Sequence, residues 1–205
     1  NLRTLNLKKK IDIHTNFFSK AYSDKMKKRY DSFDLITANN VFAHSPHLFD
    51  FSQGVKNLLS SKGVFVLEVS YLGTVLKKKT FDTIYHEHMS YHGLKPLVQF
   101  FKNQNLQIFD FELIEAQGGS IRIFVSHKNS FKVEKNKIYN KIKNEIAEGL
   151  YSKKRYKKFF KEIIDTKEKL KKMISKLKEK NWDIIGYGAP AKLTTLTHVF
   201  NLTRN

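Results

Sequence analysis

The chain is predicted to fold as an α/β protein. A parallel strand–helix–strand unit closes in a hairpin, and helices and the start of a second α/β unit follow. Three observations predict this. "FDLITANN" (Phe33 to Asn40) and "VFVLEVS" (Val64 to Ser70) are short apolar runs of the kind shown by strands buried on both faces. Between them Leu48, Phe51, Val55, Leu58 and Leu59 recur at helical spacing, and Lys62-Gly63 reads as the turn out. Further on, "LQIFDFELIEAQGGSIRIFVSHK" alternates as two strands joined through Gly118-Gly119.

The remaining elements follow in order. "LKPLVQFFKNQN" places Leu94, Leu97, Val98 and Phe101 on one helical face. Residues 133–180 are lysine-rich and helical, with Ile138, Ile142, Leu150, Phe160, Ile163, Ile164, Leu170, Ile174 and Leu177 as the buried stripe and Gly149 as a break. "WDIIGYGAPAKLTTLTHVF" runs from a short apolar strand through a glycine turn into a helix. The chain therefore divides into a sheet domain over 1–130, a helical connector over 131–180 and the start of a second α/β domain over 181–205. No glycine precedes Phe33, and the first clear strand lacks the strands that should flank it. The chain reads as a piece of something longer.

Composition narrows the functional classes. With 205 residues, 40% hydrophobic, 17 Phe and 9 Tyr, the chain can bury a good core and is not of disordered type. The absence of cysteine excludes disulfides and thiolate metal sites within it. No apolar run reaches the roughly 20 residues that span a bilayer, and the first residues lack a signal-peptide core. A soluble, cytoplasmic protein is expected. The formal net charge of +19 allows nucleic-acid binding through counterion release. Lysines spread along helix faces are more simply a solvated surface, so no nucleic-acid partner is expected.

Several clusters could carry chemistry. "TIYHEHMSY" sets Tyr85, His86, Glu87 and His88 side by side, after a strand, where open α/β sheets place ligands. Histidine titrates near neutrality, so this is either a polar loop or a site of proton transfer. Five of the 8 histidines (His44, His47, His86, His88, His92) lie in one half of the chain, but their spacing matches no zinc signature, and no metal site is assigned. Asn39 and Asn40 end a strand and could hold a ligand or cap a helix. "QGGSIR" (Gln117 to Arg122) is a hairpin turn in which Gly118-Gly119 allows close backbone approach and Arg122 could meet a phosphate or carboxylate. "GYGAPAK" is a partial phosphate-loop pattern, with Ala191 in place of its third glycine.

"FDLITANNVFAHSPHLFDF", "FDTIYHEHMSY", "GGSIRIFV" and "IIGYGAPAK", in this order, resemble the S-adenosylmethionine-dependent C-methyltransferases that act on nucleotide-linked 4-keto deoxysugars. The resemblance runs from about residue 11 to 200. It implies a partial class I methyltransferase (Rossmann-like) sheet, closing in its usual hairpin, then helices and the start of a C-terminal α/β domain that helps bind the nucleotide sugar. It also implies a reaction. A proton next to the sugar ketone is removed, and the enolate attacks the methyl group of S-adenosylmethionine. By resemblance His88 is the general base, Tyr85 assists at the ketone or enolate oxygen, and Glu87 and His86 orient. Asn39, Asn40 and His44 match the segment lining the methyl donor. Gly119, Ser120 and Arg122 match the substrate-facing segment, and Tyr187 with Lys192 the nucleotide-sugar region.

The departures are equally specific. The cysteines of the family's zinc-binding N-terminal domain are absent, so zinc is not expected here. So are the glycine-rich loop and the acidic residue that grip S-adenosylmethionine. "AKLTTL" replaces A-K-G-N-T-L, with Leu193 and Thr194 where Gly and Asn are usual. Two other readings stay open: a basic RNA methyltransferase, which shares the fold, and a truncated, non-catalytic binding partner.

Overall fold

The structure is a computed structural model that describes residues 11–115 and 118–203. Helix α1 (Lys20–Tyr30) leads into strand β1 (Phe33–Asn39), and α2 (Leu48–Leu58) into β2 (Leu59–Ser70). Helices α3 (Leu72–Lys78) and α4 (Leu94–Lys102) precede the hairpin of β3 (Leu106–Ile114) and β4 (Ser120–His127). Helices α5 (Lys135–Ala147), α6 (Lys153–Glu179) and α7 (Lys192–Phe200) complete the described chain. Two single turns of 3₁₀ helix, Phe42–His44 and Phe81–Thr83, flank the region of interest.

The four strands form one sheet in the order β1-β2-β4-β3. β1 runs parallel to β2, while β4 is antiparallel to both β2 and β3. The hairpin therefore inserts its second strand beside β2, and the mixed α/β fold with a terminal hairpin is as the sequence predicts. Alternation dictates which face is buried. Phe65, Leu67, Val69, Ile121, Ile123 and Val125 are all fully buried on one face, under Phe51 and Val55 of α2, Leu94, Leu97 and Phe101 of α4, and Ile138 of α5. Each such side chain contributes about 1.5–3 kcal/mol. The opposite face carries exposed Leu35 and a row of ionic side chains, Glu68, Arg122 and Glu112, aligned by register across β2, β4 and β3.

A second, smaller core joins the connector to the loop region. Leu76, Leu150, Phe159, Ile163 and Phe200 are buried together, with Phe81, Leu170, Leu196 and Val199 packed against them. Helix α6 starts at Ser152, whose Oγ accepts from the Arg155 amide as an N-cap should. Gly149 breaks the connector as expected, at φ 72°.

Five expectations are corrected. β1 is not buried on both faces, since Asp34, Leu35 and Thr37 are exposed. β2 begins at Leu59 rather than Val64, so Lys62-Gly63 is strand and not turn. A Cβ at Gly63 would sit 2.8 Å from the Phe33 carbonyl oxygen, so this glycine serves the close approach of β1. In α6 the buried aromatic is Phe159, and Phe160 is 65% exposed. Trp182 to Pro190 forms no strand, and Ile185 is 88% exposed. Helices α1 and α3 were not anticipated from the hydrophobic pattern.

Candidate active site

The loop after α3 is built around one main-chain oxygen. Thr83 is buried at the end of its 3₁₀ turn, with its hydroxyl donating to the Thr80 carbonyl at 2.7 Å. The Thr83 carbonyl oxygen receives the Tyr91 hydroxyl at 2.7 Å and lies 2.8 Å from His88 Nδ1. A carbonyl only accepts, so Nδ1 of His88 carries the proton and Nε2 presents a lone pair. That Nε2 faces the Tyr85 hydroxyl at 3.4 Å, and the two rings lie 4.5 Å apart. A turn closes the pair, since the His88 amide donates to the Tyr85 carbonyl at 3.0 Å.

The loop is pinned to the end of β1 from one side. The Met89 amide donates to the Ala43 carbonyl at 3.0 Å, and the His44 ring meets the His88 ring edge-on at 4.9 Å. Partial burial holds His88 below the ordinary histidine range. The Thr83 carbonyl and Glu87 oppose this shift, while His44 and Lys192 add to it. Burial also raises the Tyr91 hydroxyl to about 12, so it stays a donor to Thr83. This arrangement holds a neutral imidazole with a free Nε2 beside a phenol, which suits proton abstraction next to a polarised oxygen.

The structure gathers some of the sequence-derived residues and separates others. His88, Tyr85 and His44 come together. His86 and Glu87 are exposed, and among the described residues no hydrogen bond links either to His88. Glu87 acts on His88 only through space, and the Thr83 carbonyl does the orienting. Asn39 is exposed at the C-terminal end of β1, while Asn40 turns the chain at φ 53° with its amide on the Glu68 carbonyl. Gly119, at φ 121°, accepts the Tyr71 amide at its carbonyl, and buried Ser120 starts β4. Gln117 lies outside the described residues.

Arg122 does not stand ready for an anion. Its Nε and Nη2 both reach Glu68 Oε2, at 3.1 and 2.9 Å, and Nη1 lies 3.5 Å from Glu112. Tyr187 and Lys192 part company. Tyr187 projects fully exposed beside a cleft of about 710 Å³ between α6 and α7, whereas Lys192 opens α7. Among the described residues no three His, Asp or Glu side chains converge as a metal-binding group, and no helix is long and apolar enough to cross a membrane.

Sequence reasoning missed Thr83, because a main-chain oxygen leaves no mark in side-chain chemistry. It also missed Glu145 of α5, a lone acid on a lysine-rich helix. Glu145 is fully buried. Its Oε1 accepts from the Tyr71 hydroxyl at 2.9 Å and the Leu94 amide at 2.7 Å. Its Oε2 accepts from the Lys95 amide at 3.1 Å and from the Tyr151 hydroxyl. It thereby caps α4 at the point where the site loop ends. Burial and this carboxylate push both tyrosines far above their ordinary range.

Residues 115–205 match the model of the C-methyltransferase C-terminal domain family. Over 179 residues, 87% of this chain, the sequence is 27% identical to the C-methyltransferase NovU of Streptomyces niveus. The chain spans 43% of the length of that relative.

Proposed function

We propose, from the C-methyltransferase family that both similarities support, that this chain carries the proton-handling part of a C-methylation. The substrate is a nucleotide-linked 4-keto deoxysugar, and the methyl donor is S-adenosylmethionine. One observation carries the proposal: His88 has its Nδ1 proton held by the Thr83 carbonyl and its Nε2 turned to Tyr85.

His88 Nε2 takes the proton from the carbon next to the ketone. The C–H electron pair becomes the enolate double bond, and charge moves to the ketone oxygen, where the Tyr85 hydroxyl donates. The enolate carbon is then the nucleophile that bonds to a methyl group, and S-adenosylmethionine, when bound, would supply that methyl, its sulfur keeping the pair of the broken S–CH₃ bond. Exposed Asn39, with Asn40 and His44 nearby, makes a polar rim at the end of β1 that fits a ligand bearing amines and hydroxyls. Tyr187 and the lysines of its cleft suit the nucleotide portion. Arg122 has a narrower part in this reading: it holds Glu68 in place at the sheet end. No nucleic acid enters.

The test needs only the sugar and the base. A dTDP-4-keto-6-deoxysugar is incubated with the chain in deuterated buffer, and loss of the proton next to the ketone is followed by NMR. The chain should accelerate that exchange, and His88→Ala should lower the enzyme-dependent rate by about 10²–10⁴-fold. Equal exchange by the parent and the variant would defeat the assignment.

A further inference from the structure

We propose that helix α7 is a clasp on the proton-handling loop, and that Thr195 is a positioning residue for His88. Thr195 lies in the first turn of α7, on the side that continues into Val199. The Thr195 hydroxyl donates to the Ile84 carbonyl at 3.1 Å, across 111 positions of sequence. Ile84 sits between Thr83, whose carbonyl fixes the His88 tautomer, and Tyr85, whose hydroxyl faces Nε2. At the far end of the helix, Phe200 stacks on Phe81 with ring centroids 5.1 Å apart and planes 26° from parallel. The helix therefore holds the loop at two points that bracket the carbonyl on which His88 depends.

This contact has a chemical consequence. Residues 83–91 have little apolar padding, and Ile84, His86, Glu87 and Met89 are exposed. Beyond the loop's own bonds to the Thr83 and Tyr85 carbonyls, its geometry is held by α7 and by the Met89-to-Ala43 contact. The charged and titratable groups around His88 are Tyr85, Glu87 and Tyr91 of its own loop, His44 of the 3₁₀ turn and Lys192 of α7. Helix α7 thus helps to set the place of the carbonyl that holds the His88 proton.

The proposal builds on His88 as the base, yet it can be measured with no substrate present, so it stands or falls separately from the C-methylation itself. Amide hydrogen exchange at His88 and Met89 is compared in the full chain and in Thr195→Val and Thr195→Ser. Thr195→Val should raise both rates about 2- to 13-fold, the range of one lost hydrogen bond, while Thr195→Ser keeps the parent rates. Unchanged exchange in Thr195→Val, or equal acceleration by Thr195→Ser, would each overturn the proposal.

Discussion

Replacing Glu145 by alanine is expected to be among the costliest single changes in the chain. The carboxylate meets four donors, but these are not equivalent. Lys95 is exposed and Tyr151 is 39% exposed, so both can turn to water once the acid is gone. Tyr71 is 3% exposed and Leu94 fully buried, so the Tyr71 hydroxyl and the Leu94 amide would be left without a partner. At about 1–3 kcal/mol for each orphaned buried group, Glu145→Ala should cost about 4 kcal/mol. Glu145→Gln is the discriminating control. Its remaining oxygen can keep both buried donors, its NH₂ can donate to Tyr151, and only the Lys95 amide meets a donor. That change should cost about 1–2 kcal/mol. Urea unfolding followed by far-ultraviolet circular dichroism reads the difference. With a slope of about 2 kcal/mol per molar urea, alanine should lower the midpoint by about 2 M and glutamine by under about 1 M. The reasoning fails if alanine costs less than about 1 kcal/mol, or if glutamine costs as much as alanine.

Two further outcomes follow from buried groups. His92 is held down to about 4 by burial, so between that value and about 6.5 the unfolded chain binds a proton that the folded chain refuses. Stability is therefore complete above about pH 6.5 and falls with pH through that window, by about 3 kcal/mol at pH 4 from this group. Denaturant unfolding at pH 7 and pH 4 should show His92→Asn losing less than the parent, and equal losses would contradict the assignment. Gly119→Ala meets two obstacles, a φ of 121° and a Cβ 2.4 Å from the Thr74 side chain. It should cost about 1–3 kcal/mol by strain and crowding, while Gly118→Ala meets strain alone and costs less in the same urea titration.

The parts of the fold that were legible in the sequence are those whose burial is uniform. The hairpin follows near alternation, β1 shows as a short apolar run although Asp34, Leu35 and Thr37 are exposed, and the parallel pairing of β1 with β2 follows from the helix between them. The start of β2 was misread because Ser60, Ser61, Lys62 and Gly63 have the composition of a turn. They are strand because Leu59 pairs with Phe33 and the Ser60 hydroxyl binds Asp34, a neighbour from another strand. Phe159 and Phe160 both fit a helical stripe drawn through Ile163, and only the partners Leu76 and Phe200 choose between them. Helix α1 escaped notice because it buries only Ser23, and it docks through the Asn57 side chain and through Phe18 against Phe51 just before it. In the candidate site, the motif marked His88 and Tyr85. It could not mark a carbonyl at Thr83, nor the engagement of Arg122 by Glu68, because both depend on register and turn geometry.

The reach of the Thr195-to-Ile84 contact also sets an order in time. On a ribosome adding about 5–20 residues per second, Ile84 is made roughly 6–20 s before the residue that holds it. The sheet strands, by contrast, are all complete by His127 and can pair while α5 to α7 are still being added. The nascent protein therefore passes through an interval in which its sheet is formed and the Ile84 carbonyl still lacks its Thr195 donor.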